Sequence, residues 1–82
     1  MDTIMIVLDM KRINRSVDLE VPLDITVNDL VIGLNKAYDL GIDMDHIPEC
    51  FLKTENPIAL IKGNKTLRAC KLRNGTIINF TR

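Results

Sequence analysis

The run Ser16-Val17-Asp18-Leu19-Glu20-Val21-Pro22, and the run Thr26-Val27-Asn28-Asp29-Leu30-Val31 that comes shortly after it, decide the fold. In the first, apolar Val17, Leu19 and Val21 alternate with polar Ser16, Asp18 and Glu20. Alternation at period two marks a strand with one buried face. Pro22 has no amide hydrogen to give a ladder, so the strand ends there. Beyond it the period changes. Val27, Leu30, Val31, Leu34, Ala37 and Tyr38 fall on one face of a helix. Thr26 has N-cap chemistry, with Asp29 three residues on. A carboxylate in the first turn also complements the positive end of the helix dipole. Gly41 reads as the residue just past the C-terminal cap. The spacing predicts a helix over residues 26–40 that lies across a sheet. Gly33 inside it costs up to ~1 kcal/mol relative to Ala; close approach to a partner and a tolerated weak spot both account for it.

Working outward, Thr3-Ile4-Met5-Ile6-Val7-Leu8-Asp9 is short and rich in β-branched residues, with Ile4, Ile6 and Leu8 on one face. The polar link around Lys11-Arg12 and Asn14-Arg15 joins it to the 16–21 strand as an antiparallel hairpin. On the other side of the helix, Ile42 to Pro48 reads as a loop carrying Asp43, Asp45 and His46. Three ligands within four residues rarely point inward together, and the chain has no further His to close a site. Cys50 to Thr54 is a short strand. Glu55-Asn56-Pro57 is turn chemistry, and Ile58 to Ile61 is a second short strand closed by Lys62-Gly63-Asn64-Lys65. Leu67 and Leu72 anchor a compact link, and Asn74-Gly75 is a turn. Thr76 to Thr81 is the last strand, with Ile78 and Phe80 on one face.

At 82 residues the chain is expected to be one domain, residues 1–82. Hydrophobic residues make up 46% and charged residues 27%, a balance that disfavours disorder. Eleven bases cancel eleven acids, whereas a general nucleic-acid binder is net basic. No apolar run approaches the ~20 residues of a membrane span, and no signal peptide is visible at the start. Cys50 and Cys70 form no CxxC motif and are read as free thiols in a reducing compartment. With one His and two Cys, a His-rich metal site and a four-Cys cluster are excluded. A Cys nucleophile with a His base lacks a third orienting group.

The order hairpin, helix, short strand, short strand, final strand is an α+β pattern. It is the β-grasp: a mixed sheet of four to five strands with one helix packed across it. The first and last strands are expected to pair in parallel at its centre, which fits their apolar character. The stretch Leu19-Glu20-Val21 ahead of a Pro, then Thr26 to Leu30, and the stretch Thr66-Leu67 through Leu72 with Asn74-Gly75-Thr76-Ile77-Ile78, resemble ubiquitin. Asp9 closing the first strand before a polar turn, and Leu67-Arg68-Ala69-Cys70-Lys71-Leu72-Arg73-Asn74-Gly75, resemble the YukD/EsaB family of small bacterial ubiquitin-like proteins of type VII secretion systems. That resemblance implies a cytosolic, non-enzymatic accessory protein without a cofactor, supporting export of small helical substrates. It implies a protein partner, a cytosolic domain of the membrane secretion complex. A ubiquitin-like adaptor or regulator acting outside secretion, including at RNA, is the alternative. Conjugation needs a flexible Gly-Gly tail, and here no Gly follows Gly75.

Residues 1–49 carry a charge balance of −6 and residues 50–82 a balance of +6. One reading is a basic docking patch of Lys53, Lys62, Lys65, Arg68, Lys71 and Arg73 that steers an acidic partner. The other is that the two halves interleave and neutralise each other. Ubiquitin-like domains commonly bind through the outer sheet face. If Leu52 points inward, Phe51 and Lys53 point outward, next to Ile77 and Asn79. The expected partner-binding residues are therefore Phe51, Lys53, Lys71, Arg73, Ile77 and Asn79, with an exposed Phe beside an exposed Ile as the apolar centre. A register shifted by one residue buries Phe51 instead. No residue is assigned to catalysis, a cofactor or a metal; self-association is open.

Overall fold

A computed structural model describes residues 2–80. Strands β1 (Thr3–Met10) and β2 (Arg15–Pro22) form the expected antiparallel hairpin, in register from Thr3 opposite Pro22 to Met10 opposite Arg15. A single 3-10 turn, Lys11–Ile13, joins them, and Asn14 closes it in the left-handed region at φ 52°. Strand β3 is Leu52–Glu55, β4 is Ala59–Ile61 and β5 is Ile77–Phe80. The sheet has five strands in the order β2-β1-β5-β3-β4. Its first and last strands, β1 and β5, run parallel at the centre, and the other pairings are antiparallel.

Alternation explains which face is buried. Ile4, Ile6, Leu8 and Met10 of β1 point inward, as do Leu52, Ile61, Ile78 and Phe80 of the later strands. Against them packs helix α1 (Val27–Tyr38), which buries Val27, Leu30, Val31 and Leu34. Thr26 caps it as expected: its Oγ1 accepts from the Asp29 amide at 3.1 Å. The next two amides, of Val27 and Asn28, donate to the carbonyls of Lys65 and Gly63. The loop after β4 is thereby tied to the start of the helix. A Cβ built on Gly33 meets nothing within 4 Å, so no close approach requires glycine there.

Several boundaries differ from the expectation. The helix stops at Tyr38, because Asp39 already takes the left-handed cap at φ 50°; Gly41, also at positive φ, lies in the next loop. Ala37, within the last turn of the helix, is exposed rather than part of the buried face. The loop after the helix contains a 3-10 segment, Met44–Glu49, that buries Ile47. Asn35 holds its start, accepting from the Ile42 amide at 3.0 Å and donating to the Ile42 carbonyl at 3.1 Å. Cys50 is buried ahead of β3, not within it, and Cys70 is half-buried; both are free thiols. Thr81, placed in the last strand by its sequence, lies outside the described residues.

Candidate protein-docking surface

The helix covers one face of the sheet, so the other face carries the outward residues of every strand. Register decides their neighbours. Asp9 of β1 lies opposite Asn79 of β5, Asn79 opposite Lys53 of β3, and Lys53 opposite Leu60 of β4. These residues form one row across the sheet. Val7, Ile77 and Glu55 form the next row. Asn79 joins the two, its Nδ2 donating to Glu55 Oε2 at 3.0 Å.

Leu52 is buried and Phe51 is 47% exposed, so the side chain of Phe51 is at the surface. The expected contact between Phe51 and Ile77 does not occur. Ile77 lies opposite Glu55, four residues along from Phe51, or roughly 13 Å at the rise of a strand. The apolar centre of this face lies elsewhere. Ile58 is 90% and Leu60 65% exposed, the two most exposed large hydrophobic side chains of the described residues. Met5, on the same face of β1, is also exposed.

Two hollows flank β4. One, of about 430 Å³, lies on the outer face between Lys53, Glu55, Ile58, Leu60 and Asn79. The other, of about 420 Å³, opens round the edge beside Ile61, Lys62, Lys65 and Cys70. Leu60 and Ala59 line both. The turn before β4 is firmly held. Thr54 Oγ1 donates to the Pro57 carbonyl and Thr76 Oγ1 to the Asn56 carbonyl, each at 2.7 Å, and both threonines are buried. The Arg73 guanidinium donates to Asn56 Oδ1. Arg73 thus braces a turn, while Lys71 sits exposed in the 67–72 link, in the left-handed region at φ 66°.

The charge split resolves unevenly. Arg68 reaches back to the acidic half, donating to Asp2 at 2.8 Å and to Asp24 at 2.9 Å. Hydrogen bonding to Asp24, then to Asp2, raises the Arg68 pKa, and the same contact holds the Asp24 carboxyl below its ordinary range. On the outer row Asp9 is occupied by Lys11 at 2.7 Å. By contrast, Lys53, Lys62, Lys65 and Lys71 make no ion pair with a described residue. Part of the basic set is neutralised, and these four lysines are not.

Asp43 and His46 serve the 3-10 segment. The Asp43 carboxylate accepts from the Asp45 amide at 3.0 Å and pairs with His46 Nδ1 at 2.8 Å. The Asp45 amide first, and His46 second, hold the Asp43 carboxyl below its usual range. Among the described residues no group of three or more His, Cys, Asp and Glu is arranged to hold a metal ion.

A five-stranded mixed sheet gripping one helix, with parallel first and last strands at its centre, defines a ubiquitin-like β-grasp domain. Solved structures share that fold. The ubiquitin-like domain of the Mycobacterium tuberculosis type VII secretion system protein ECCD1 superposes with a TM-score of 0.58, at 16% identity, covering 100% of both chains. The UBL domain of Plasmodium falciparum Dsk2 gives 0.65 at 15% identity, covering 95% of this chain and 97% of that one. The C-terminal ubiquitin-like domain of mouse tubulin-specific chaperone e gives 0.68 at 11% identity, with 99% and 89% covered. At the level of sequence, residues 5–79 match the family described as YukD, WXG100 protein secretion system (Wss). The chain belongs to the YukD family. No curated protein matches it by sequence.

Proposed function

We propose that this chain is a non-enzymatic accessory protein of a bacterial type VII secretion system. It acts in the cytoplasm, docks on a cytosolic part of the membrane secretion complex, and supports export of small helical substrates. The observation that carries this reading is its membership of the YukD family. The fold shared with the ubiquitin-like domain of a type VII secretion protein supports it. Docking uses the outer sheet face, through Phe51, Lys53, Ile77 and Asn79, with Lys71 and Arg73 at its basic side. Exposed apolar side chains rimmed by unpaired lysines favour a protein partner with acidic character.

The test is recovery of partners from cells making the tagged chain, followed by binding kinetics. Secretion-complex proteins are expected among those recovered. Reversal of Lys53, Lys71 and Arg73 to Glu is expected to slow association, and added salt to weaken wild-type binding. Phe51→Ala is expected to speed dissociation with little change in salt dependence. Wild-type recovery of no secretion protein, with export intact in a deletion strain, sinks the reading.

A further inference from the structure

We infer that the free edge of β4 is a strand-addition site, and that it takes an extended segment of a partner protein in which apolar and acidic residues alternate. The inference deepens the docking reading above and rests on it.

β4 is an end strand of the sheet, so one side of its backbone has no neighbouring strand. Such an edge is a template for another chain unless charge or proline guards it. Residues 58–61, Ile-Ala-Leu-Ile, contain neither. An added strand sends successive side chains to opposite faces. Leu60 points outward and Ile61 inward; the first hollow lies on the outer face, and the second opens round the edge to Ile61, Lys62, Lys65 and Cys70, with Ala59 and Leu60 shared by both. A side chain of the added strand on the outer face meets Ile58 and Leu60 first, and Lys53 and Glu55, which carry opposite charges, lie further in on β3. Its neighbour on the other side meets Lys62 and Lys65, which have no acidic partner among the described residues. Apolar and acidic positions therefore alternate in the segment that fits. In strand addition, main-chain hydrogen bonds give affinity and alternate pockets give specificity. The bracing of the turn by Thr54, Thr76 and Arg73 keeps the edge formed before binding, which lowers the ordering cost.

A second copy of this chain fits poorly. Its other edge, β2, also alternates, but with Asp18 and Glu20 outward and Val17, Leu19 and Val21 toward the core. In a continuous sheet with both helices on one side, those acids would face Leu60 and the aliphatics would face Lys62 and Lys65. The complementarity would be reversed.

The test pans a display library of random short linear peptides against the intact chain. Enriched peptides are expected to alternate apolar and acidic residues. The double variant Ile58→Lys, Leu60→Lys is expected to lose about tenfold or more in affinity for them, with an unchanged circular dichroism spectrum. Lys62→Glu with Lys65→Glu is expected to shift selection from acidic to basic peptides. No enrichment, enrichment without alternation, or equal binding to the Ile58, Leu60 variant overturns the inference. Self-association of the wild type that the same variant abolishes also overturns it, in favour of a second copy. If that variant still recovers secretion proteins from cells as wild type does, strand addition fails and the docking reading stands. If peptides behave as expected while wild type recovers no secretion protein, the docking reading fails and the edge site stands.

Discussion

The two edges of this sheet are built on opposite principles. β2 is long, with Val17 and Leu19 half-buried, and its outward positions hold Ser16, Asp18 and Glu20. Charge and a terminal Pro22 guard it against other strands. β4 is three residues long, and its outward side chain is Leu60, with Ile58 exposed just before it. No charge stands within that run. Short length, with Pro57 before it and Lys62 after it, is the defence of β4, so the same sheet carries charge along one edge and apolar surface along the other. Four of the lysines without an ion pair to a described residue, Lys53, Lys62, Lys65 and Lys71, also belong to the second half of the chain.

The largest effect expected is one that spares neither edge. Ile78 sits on β5, between the two halves of the sheet, and is fully buried. Ile78→Ala should cost about 2–5 kcal/mol through lost burial and the cavity left behind. Denaturant unfolding followed by probes on β2 and on β4 should give one shared transition. Separate midpoints would show that the edges are held independently, and the contrast between them would then be one of stability rather than surface chemistry.

Stripping the guards from β2 tests the contrast itself. Asp18→Val with Glu20→Val leaves a long apolar edge strand, and sedimentation velocity should show self-association that grows with concentration. Wild-type behaviour in that variant would mean that charge is not what keeps β2 unpaired. At β4 the reverse change, Leu60→Lys, should leave stability within about 0.5 kcal/mol, since the side chain is mostly in water. A clear loss of stability would show that Leu60 packs, and would remove it from the docking surface.

How far these features were legible follows from how local each one is. The hairpin, the helix start at Thr26 and the inward faces of β1 and β5 depend on period and capping within a few residues, and the structure agrees with the expectation there. The helix end was missed because Asp39, not Gly41, adopts the cap, and a short polar side chain tolerates that conformation. The pairing of Phe51 with Ile77 failed because register between β3 and β5 is set across the chain. Ile58 and Leu60 were overlooked for a different reason. Four apolar residues in a row read only as a second short strand with no face assigned, and only the topology makes that strand an edge. The usable signal was the polar turn ahead of it and the lysines behind it. Arg68 looked like part of the basic patch because its partners, Asp2 and Asp24, lie far away in sequence.

That reassignment of Arg68 supplies the smallest expected effect and a direct check on which bases serve the β4 edge. Arg68 and both its acids are at least half exposed, so water screens the cluster and its worth to stability is small. Its signature is a titration. Hydrogen bonding to Arg68 holds the folded Asp24 below its ordinary value of 3.8. A depressed carboxyl favours the folded state above its unfolded pKa, and the contribution is lost as pH falls through the folded value. Stability from this cluster is therefore present near neutrality and disappears on the acid side of 3.8. NMR titration should show the Asp24 carboxyl moving up toward that ordinary value in Arg68→Ala. The acid limb of the stability curve should flatten with it. Binding at the β4 edge should stay as in wild type, because Arg68 is already engaged by two acids, whereas Lys65→Ala should weaken it. Equal loss of binding in both variants would mean that the acidic and basic halves act as one surface, and the distinction between the two edges would no longer hold.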